Sequence, residues 1–359
     1  MIGVTIALLP LYNRITQLDF NRTSKDNLLV VLFGLFCFIL PGAVRKMTLA
    51  MYAALIYGLF FLVMNQWNVL SVNVMFQVFY ISAGLLFFAN LYEKFDREST
   101  HFILKGMVVG ALIQSTLSIP AFFGFEIYPN FTRIFSDVGE AISPGHGQAN
   151  MIGSLGNSNL LASYLALTSM AFLSLKKLRY LVIIPIVALL MSGSMMGIGA
   201  FFAGVSYYLN IKYELVKKWQ IYLASSVAMV TVYFTGLNGA DSGRFEIWYK
   251  IFDKVTLSHF LIGRGPGWFA DQKLTYDNTI VVQEHSNFIT FFNLFGIFGI
   301  ILVLPIFLKF LKAKDDHAIF SSILFVAFCN SYGHFSLHQS TTAIIIIVTA
   351  AICLAGGKK

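Results

Sequence analysis

Apolar residues in this chain come in runs, and polar residues are confined to the short stretches between them. A helix that crosses a bilayer needs about 20 mostly apolar residues. Runs of that kind cover Asn27–Val44, Thr48–Gln66, Val69–Tyr92, Phe102–Phe123, Leu160–Leu175, Tyr180–Ser192, Met195–Ile211, Trp219–Leu237, Phe288–Leu311, Ala318–Tyr332 and Thr341–Ala355. Residues 1–12 form either a short further span or an interfacial segment. The Tyr180–Ser192 run is short and contains Pro185, so a broken or tilted helix is expected there. The expected fold is an all-α polytopic membrane protein of about 11–12 transmembrane helices, with residues 1–359 forming one integral domain.

Composition agrees. Only 12% of residues are charged and 57% are hydrophobic, whereas a water-soluble domain carries about 25% charged residues. The net charge of +8 does not imply a nucleic-acid partner, because the basic residues sit in short clusters between apolar runs. Such clusters set orientation. Arg45 and Lys46, Lys94 with Arg97 and Lys105, Lys176 with Lys177 and Arg179, Lys212 with Lys217 and Lys218, Lys309 with Lys312 and Lys314, and Lys358 with Lys359 all fall on one face. The excess of Lys and Arg makes that face cytoplasmic. Segments Gly124–Asn159, Asn238–Asn287 and Gly333–Ser340 are then external, with Arg14, Arg22 and Lys25 as the discordant basic group. Cys37, Cys329 and Cys353 lie inside apolar runs, where a free thiol behaves as a small hydrophobe. No cysteine or histidine spacing suits a metal, so neither metal nor cofactor is expected.

Most of the candidate chemistry lies in the external loop, residues 238–287. Phe245, Trp248, Tyr249, Phe252 and Val255 recur at helical spacing with Glu246, Lys250, Asp253 and Lys254 between them. That pattern describes an amphipathic helix in the interface plane, in contact with membrane lipid. Arg244 falls in its first turn, where the helix dipole opposes a cation. It either answers an anion together with free backbone N–H groups or snorkels to lipid headgroups. Gly263-Arg264-Gly265-Pro266-Gly267 allows a tight turn and a close backbone approach to a ligand, and is equally a structural corner. His285 stands immediately before a span with Glu284 and Asn287 beside it. A histidine there serves as a general base near neutral pH or faces headgroups. His334 and His338 on the last external loop, with His146 and Gln148, rank behind it. Asn157 and Asn159 open the span that follows and suit a helix cap, or a second role at the helix mouth.

Four blocks in order carry a family resemblance: Gly156-Asn157-Ser158-Asn159-Leu160-Leu161-Ala162, then Ser242-Gly243-Arg244 with Trp248, then Ile262-Gly263-Arg264-Gly265-Pro266-Gly267-Trp268-Phe269, then His285-Ser286-Asn287-Phe288 followed by Gly296 and Gly299. Over about residues 150–310 the chain resembles the O-antigen ligase and O-antigen polymerase superfamily of bacterial envelope glycosyltransferases. Two departures stand out. Met195 occupies a place where relatives carry an arginine, and Ser286 separates the histidine from the asparagine.

The resemblance implies a metal-independent glycosyltransferase in the bacterial inner membrane, with loop 238–287 on the periplasmic side. It implies a donor glycan on undecaprenyl pyrophosphate and an acceptor hydroxyl on a glycan or on lipid A–core. His285 is then the expected base, and Arg244 and Arg264 the expected partners of the departing pyrophosphate. Asn157, Asn159, Gly263, Gly265, Gly267, Trp248, Asn287, His334 and His338 are expected to line the substrate site. Within the superfamily a polymerase, a ligase and a protein O-oligosaccharyltransferase share these motifs. A polysaccharide-lipid flippase is the alternative outside it, although none of the drawn spans holds an Asp, Glu, Lys or Arg near its centre, where ion coupling would place one.

Overall fold

The computed structural model describes residues 97–123, 158–235, 244–264, 275–276, 279–280, 286, 288–297, 300–301, 318–332, 342, 345–346, 348–350 and 352–353. These residues form an all-α assembly with a single two-residue ladder. In chain order the helices are α1 (Arg97–Phe122), α2 (Ser158–Ser169), α3 (Ile183–Met191), α4 (Met195–Tyr213) and α5 (Lys218–Thr235). They continue as α6 (Arg244–Asp253), α7 (Leu257–Ile262), α8 (Phe288–Ile297) and α9 (Ala318–Asn330). Strands β1 (Thr275–Tyr276) and β2 (Thr279–Ile280) pair antiparallel between α7 and α8. The first, second and third apolar runs, Asn27–Tyr92, lie outside the described residues.

Helix α2 is the centre of the bundle. Every residue from Leu161 to Ser169 is buried, and α1, α3, α4 and α9 pack around it. A helix with no exposed side needs small residues where its neighbours cross. Ala162 and Ala166 provide them, and α4 answers with glycines. A Cβ on Gly197 would lie 2.5 Å from Ala162 Cβ, and one on Gly204 would lie 2.2 Å from Val326 Cγ2 of α9. These contacts run α2 and α4 parallel and place α9 beside both. Tyr207 of α4 fixes the same packing with polar contacts, its hydroxyl 2.9 Å from Tyr222 Oη of α5 and 3.3 Å from Ser321 Oγ of α9. The Phe325 ring completes the layer at 4.6 Å from Tyr207.

Local signals set the helix ends. Helix α2 continues as a 3-10 turn, Met170–Leu173. Pro185 falls in the first turn of α3, where its missing N–H costs least. A separate 3-10 turn, Arg179–Val182, precedes α3, so the expected break exists but lies just before the proline. Gly193 has φ 67° between α3 and α4. Ser194 then caps α4 by accepting the Gly197 N–H at 3.4 Å, and Ser192 Oγ donates to the Leu189 carbonyl at 2.6 Å. At the far end Glu214 adopts φ 48°, and Asn210 Oδ1 accepts the Val216 N–H to turn the chain into α5.

Among the described residues one helical stretch, Thr100–Pro120, is long and apolar enough to cross a membrane; Ser158–Leu173, Arg179–Met191, Phe288–Ile297 and Ala318–Asn330 are apolar and shorter. On the outside of the bundle Leu190, Phe202, Leu223 and Val227 are each more than half exposed.

Candidate functional site

The loop helices α6 and α7 are joined to α8 by a backbone crossing. Gly263 ends α7 with φ 81° and ψ −177°, its N–H donating to the His259 carbonyl. Gly296 bends α8 with φ 61°. A Cβ on Gly263 would lie 2.5 Å from the Leu294 carbonyl carbon and oxygen, and one on Gly296 would lie 2.5 Å from the same atoms of Leu261. At Gly263 the close backbone approach is made to α8. Only residues without a side chain fit at both positions.

Arg264 follows immediately and locks the crossing. Its backbone N–H donates to the Asn293 carbonyl of α8. Its guanidinium Nη2 donates to the Ile251 carbonyl of α6 at 2.9 Å. Ile251 lies in the last turn of α6, where carbonyls lack partners within the helix and the dipole favours a cation. Arg264 is 1% exposed, and burial pulls the pKa of its guanidinium down from the ordinary arginine value. It remains a cation at any working pH. In this position Arg264 holds the end of α6 against α8.

The inward face of α6 differs from the one expected. Ile247 and Ile251 are buried and Trp248 is half-buried against the bundle core, whereas Tyr249 is 71% exposed. Apolar residues occupy most of the circumference of this helix, so spacing alone does not choose its buried side. Attachment through Ile251 and Arg264 does. Tyr249 and Phe252 on α6, with Leu257 and Phe260 on α7, form an exposed apolar face. Beneath its edge, Phe252 and Phe260 both meet the Phe292 ring of α8, at 5.7 and 5.8 Å. Helix α7 is not expected from the sequence, since Leu257–Ile262 is a single turn and a half between polar residues.

Helix α8 is anchored at its start as well. Ser286 is buried and donates from Oγ to the Ser331 carbonyl at the end of α9. Its own carbonyl accepts the Thr290 N–H and the Thr290 hydroxyl. The serine that interrupts the His-Asn pair is thus the residue that fastens α8 to α9. Phe288 packs edge-on against Phe328 and Tyr332 beside it, and Tyr332 donates its hydroxyl to Ser226 Oγ of α5.

Of the expected site residues, Arg244 is the first residue of α6, Trp248 lies one turn further on, and Gly263 and Arg264 form the crossing. Asn159 is the second residue of α2, inside the helix rather than at its cap. His285, Asn287, Asn157, Gly265, Gly267, His334 and His338 lie outside the described residues, as do His146 and Gln148. The crossing thus joins the Arg244 helix to the helix that His285 precedes. Sequence reading missed Asn330, Ser163 and Tyr164. All three are fully buried, and among the described residues Asn330 Oδ1 and Nδ2, Ser163 Oγ and Tyr164 Oη make no hydrogen bond. Polar side chains within apolar runs were the available signal. Comparison with protein-family models, with curated proteins and with solved structures gives no match.

Proposed function

We propose that this chain is a polytopic inner-membrane glycosyltransferase that takes a glycan from an undecaprenyl-pyrophosphate donor on the periplasmic side and transfers it to an acceptor sugar hydroxyl. The observation that carries the reading is the crossing at Gly263, Arg264 and Gly296. It packs the helix opened by Arg244 against the helix introduced by His285, two of the four sequence blocks that resemble the O-antigen ligase and polymerase superfamily. The length and apolarity of Thr100–Pro120 and the exposed apolar side chains of α6 and α7 support a membrane setting.

In this reading His285 orients and deprotonates the acceptor hydroxyl. The freed oxygen attacks the anomeric carbon of the donor, and the bond to the pyrophosphate oxygen breaks. Arg244 offsets the charge that builds on the leaving pyrophosphate, a contact that contributes about 2–4 kcal/mol where water is excluded. Arg264 is a positioning residue, setting the angle of α6 and so the place from which Arg244 acts. No ion gradient enters the chemistry.

The test is transfer by the purified protein in proteoliposomes supplied with lipid-linked glycan. Wild-type protein yields elongated or transferred product without a gradient, and His285→Ala yields none while melting at the wild-type temperature. Equal product from His285→Ala removes the base assignment, and movement of donor across the bilayer without transfer selects the flippase.

A further inference from the structure

We infer that one end of the bundle, built from the α2–α3 and α4–α5 connections, is a docking surface for the anionic phospholipid headgroups of the leaflet around it. The inference rests on the membrane setting of the proposed function and not on its transfer chemistry.

Contacts along α4 fix which helix ends share that level. Gly197 meets Ala162 and Gly204 meets Met170, so α2 and α4 run parallel. Gly204 also meets Val326, and Tyr207 meets Ser321, so α9 runs antiparallel to both. The 3-10 turn Met170–Leu173 packs on α4, which keeps the ends of α2 and α4 together. Lys212 lies about 12 Å along α4 beyond the Gly204 layer at the α-helical rise. Ser174 lies about 8 Å beyond the same layer at the 3-10 rise, and Lys176 follows two residues later. A flat leaflet requires only that the two connections share a level, with no contact between them.

Charge is concentrated at this end. Lys176, Lys177 and Arg179 occupy one connection, and Lys212, Lys217 and Lys218 occupy the other, with Glu214 as the one acid in either. The side chains of Lys176, Lys177, Arg179, Lys212 and Lys217 are exposed. In the sequence that leads to α9, Lys309, Lys312 and Lys314 outnumber Asp315 and Asp316. At the opposite end of the same helices, Ser158–Leu160, Met191–Met195 and Ser331–Tyr332 hold no charged residue.

The residues between the cations decide the kind of anion. Tyr180 follows Arg179, Tyr213, Leu215 and Val216 separate Lys212 from Lys217, and Trp219 follows Lys218. These five side chains are between 48% and 72% exposed. Lys212 Nζ stands 5.4 Å from the Tyr213 ring centroid, so cation and aromatic ring share one place. Nucleic acid or another soluble polyanion would neutralise the cations and leave Leu215 and Val216 in water. A bilayer interface takes both, lipid phosphate meeting the cations while the headgroup and upper acyl region cover the aromatic and aliphatic side chains. Below Tyr180 the apolar side chains continue along α3, where Ile183, Val187 and Leu190 are exposed at a spacing that puts them on one face. Each Lys or Arg close to an anionic leaflet favours association about fivefold.

The test uses full-length protein in proteoliposomes and compares spin-labelled phosphatidylglycerol with spin-labelled phosphatidylcholine by electron paramagnetic resonance. The fraction of each label that the protein immobilises gives a relative association constant. Wild-type protein should prefer phosphatidylglycerol by about fivefold or more. Salt at about 1 M, where the screening length falls to about 3 Å, should remove most of that preference. Lys176→Gln with Lys177→Gln and Arg179→Gln should lower it, as should Lys212→Gln with Lys217→Gln, whereas Lys212→Arg with Lys217→Arg should keep it. Equal association of the two lipids with wild-type protein overturns the surface. A preference that both glutamine variants retain in full also overturns it, because the anionic lipid then sits elsewhere on the protein. Binding of a labelled oligonucleotide to the detergent-solubilised protein, with equal association of the two lipids, selects a soluble polyanion instead. The wild-type comparison and its salt dependence need no variant, so they decide the matter even if loss of positive charge disturbs insertion. Neither readout involves transfer, so the outcome is separate from that of His285→Ala.

Discussion

Replacing Gly263 with alanine should loosen the whole loop assembly, and the structure sets the size of the effect. Alanine at φ 81°, ψ −177° occupies backbone space nearly reserved for glycine, at a cost of about 1–3 kcal/mol. The new methyl would also lie 2.5 Å from the Leu294 carbonyl atoms and the Phe295 nitrogen. Backbone cannot turn aside as a side chain can, so α7 and α8 must part, which costs about a further 1–3 kcal/mol. The sum, roughly 2–6 kcal/mol, is a large share of the stability typical of a folded domain. An unfolding entropy of about 2.1 cal/mol/K per residue over 359 residues gives about 1.3 °C per kcal/mol, so a fall of roughly 3–8 °C is expected. Cys329 and Cys353 are buried free thiols, and a thiol-reactive fluorophore reports their release on heating. Leu257→Ala on the same loop is the control, because Leu257 is 76% exposed and alanine is a good helix former. If Gly263→Ala melts within about 1 °C of wild type, or if Leu257→Ala is the more damaging, the backbone crossing does not hold the loop.

Arg264→Met removes a charged hydrogen bond to Ile251 and should cost about 1.5–3 kcal/mol; Arg264→Lys should recover less than half, since an ammonium cannot reproduce the guanidinium fork. Both appear in the same melting assay, and a wild-type melt for Arg264→Met refutes the anchoring role. Ser194→Ala removes the cap of α4 and should cost about 1 kcal/mol, measured against Ser194→Asp, which retains a cap. Changing Tyr249, Phe252, Leu257 and Phe260 together to serine should leave melting in detergent within a few degrees of wild type, since all four are exposed. The same variant should lose activity in liposomes if this face rests on lipid, and unchanged liposome activity counts against that contact.

The runs Phe102–Phe123, Leu160–Leu175, Met195–Ile211, Trp219–Leu237 and Ala318–Tyr332 are legible as helices because burial and helix length both follow from hydrophobic spacing. Met195–Ile211 becomes Met195–Tyr213, and Trp219–Leu237 becomes Lys218–Thr235. What the pattern could not carry was anything decided by a partner distant in sequence. The buried face of α6 depends on Arg264 reaching Ile251, and the short α7 depends on Phe260 meeting Phe292. Gly263 reads equally as a ligand cradle and a corner, and the α8 backbone that it meets at Leu294 is distant in sequence. Ser286 read as an interruption between His285 and Asn287, although its hydroxyl ties α8 to α9. Asn330 and Ser163 passed unnoticed because a lone polar residue within an apolar run is informative only once its neighbours are known to leave it unsatisfied.

Helix α2 is enclosed on every side, and that has a consequence for how the chain assembles. During synthesis α1, α3 and α4 emerge close to it in time, whereas α9 arrives only after α5 to α8 have been made. Until then α2 lacks the cover that α9 provides. The nascent bundle must survive as a half-open cradle that α9 then helps to close.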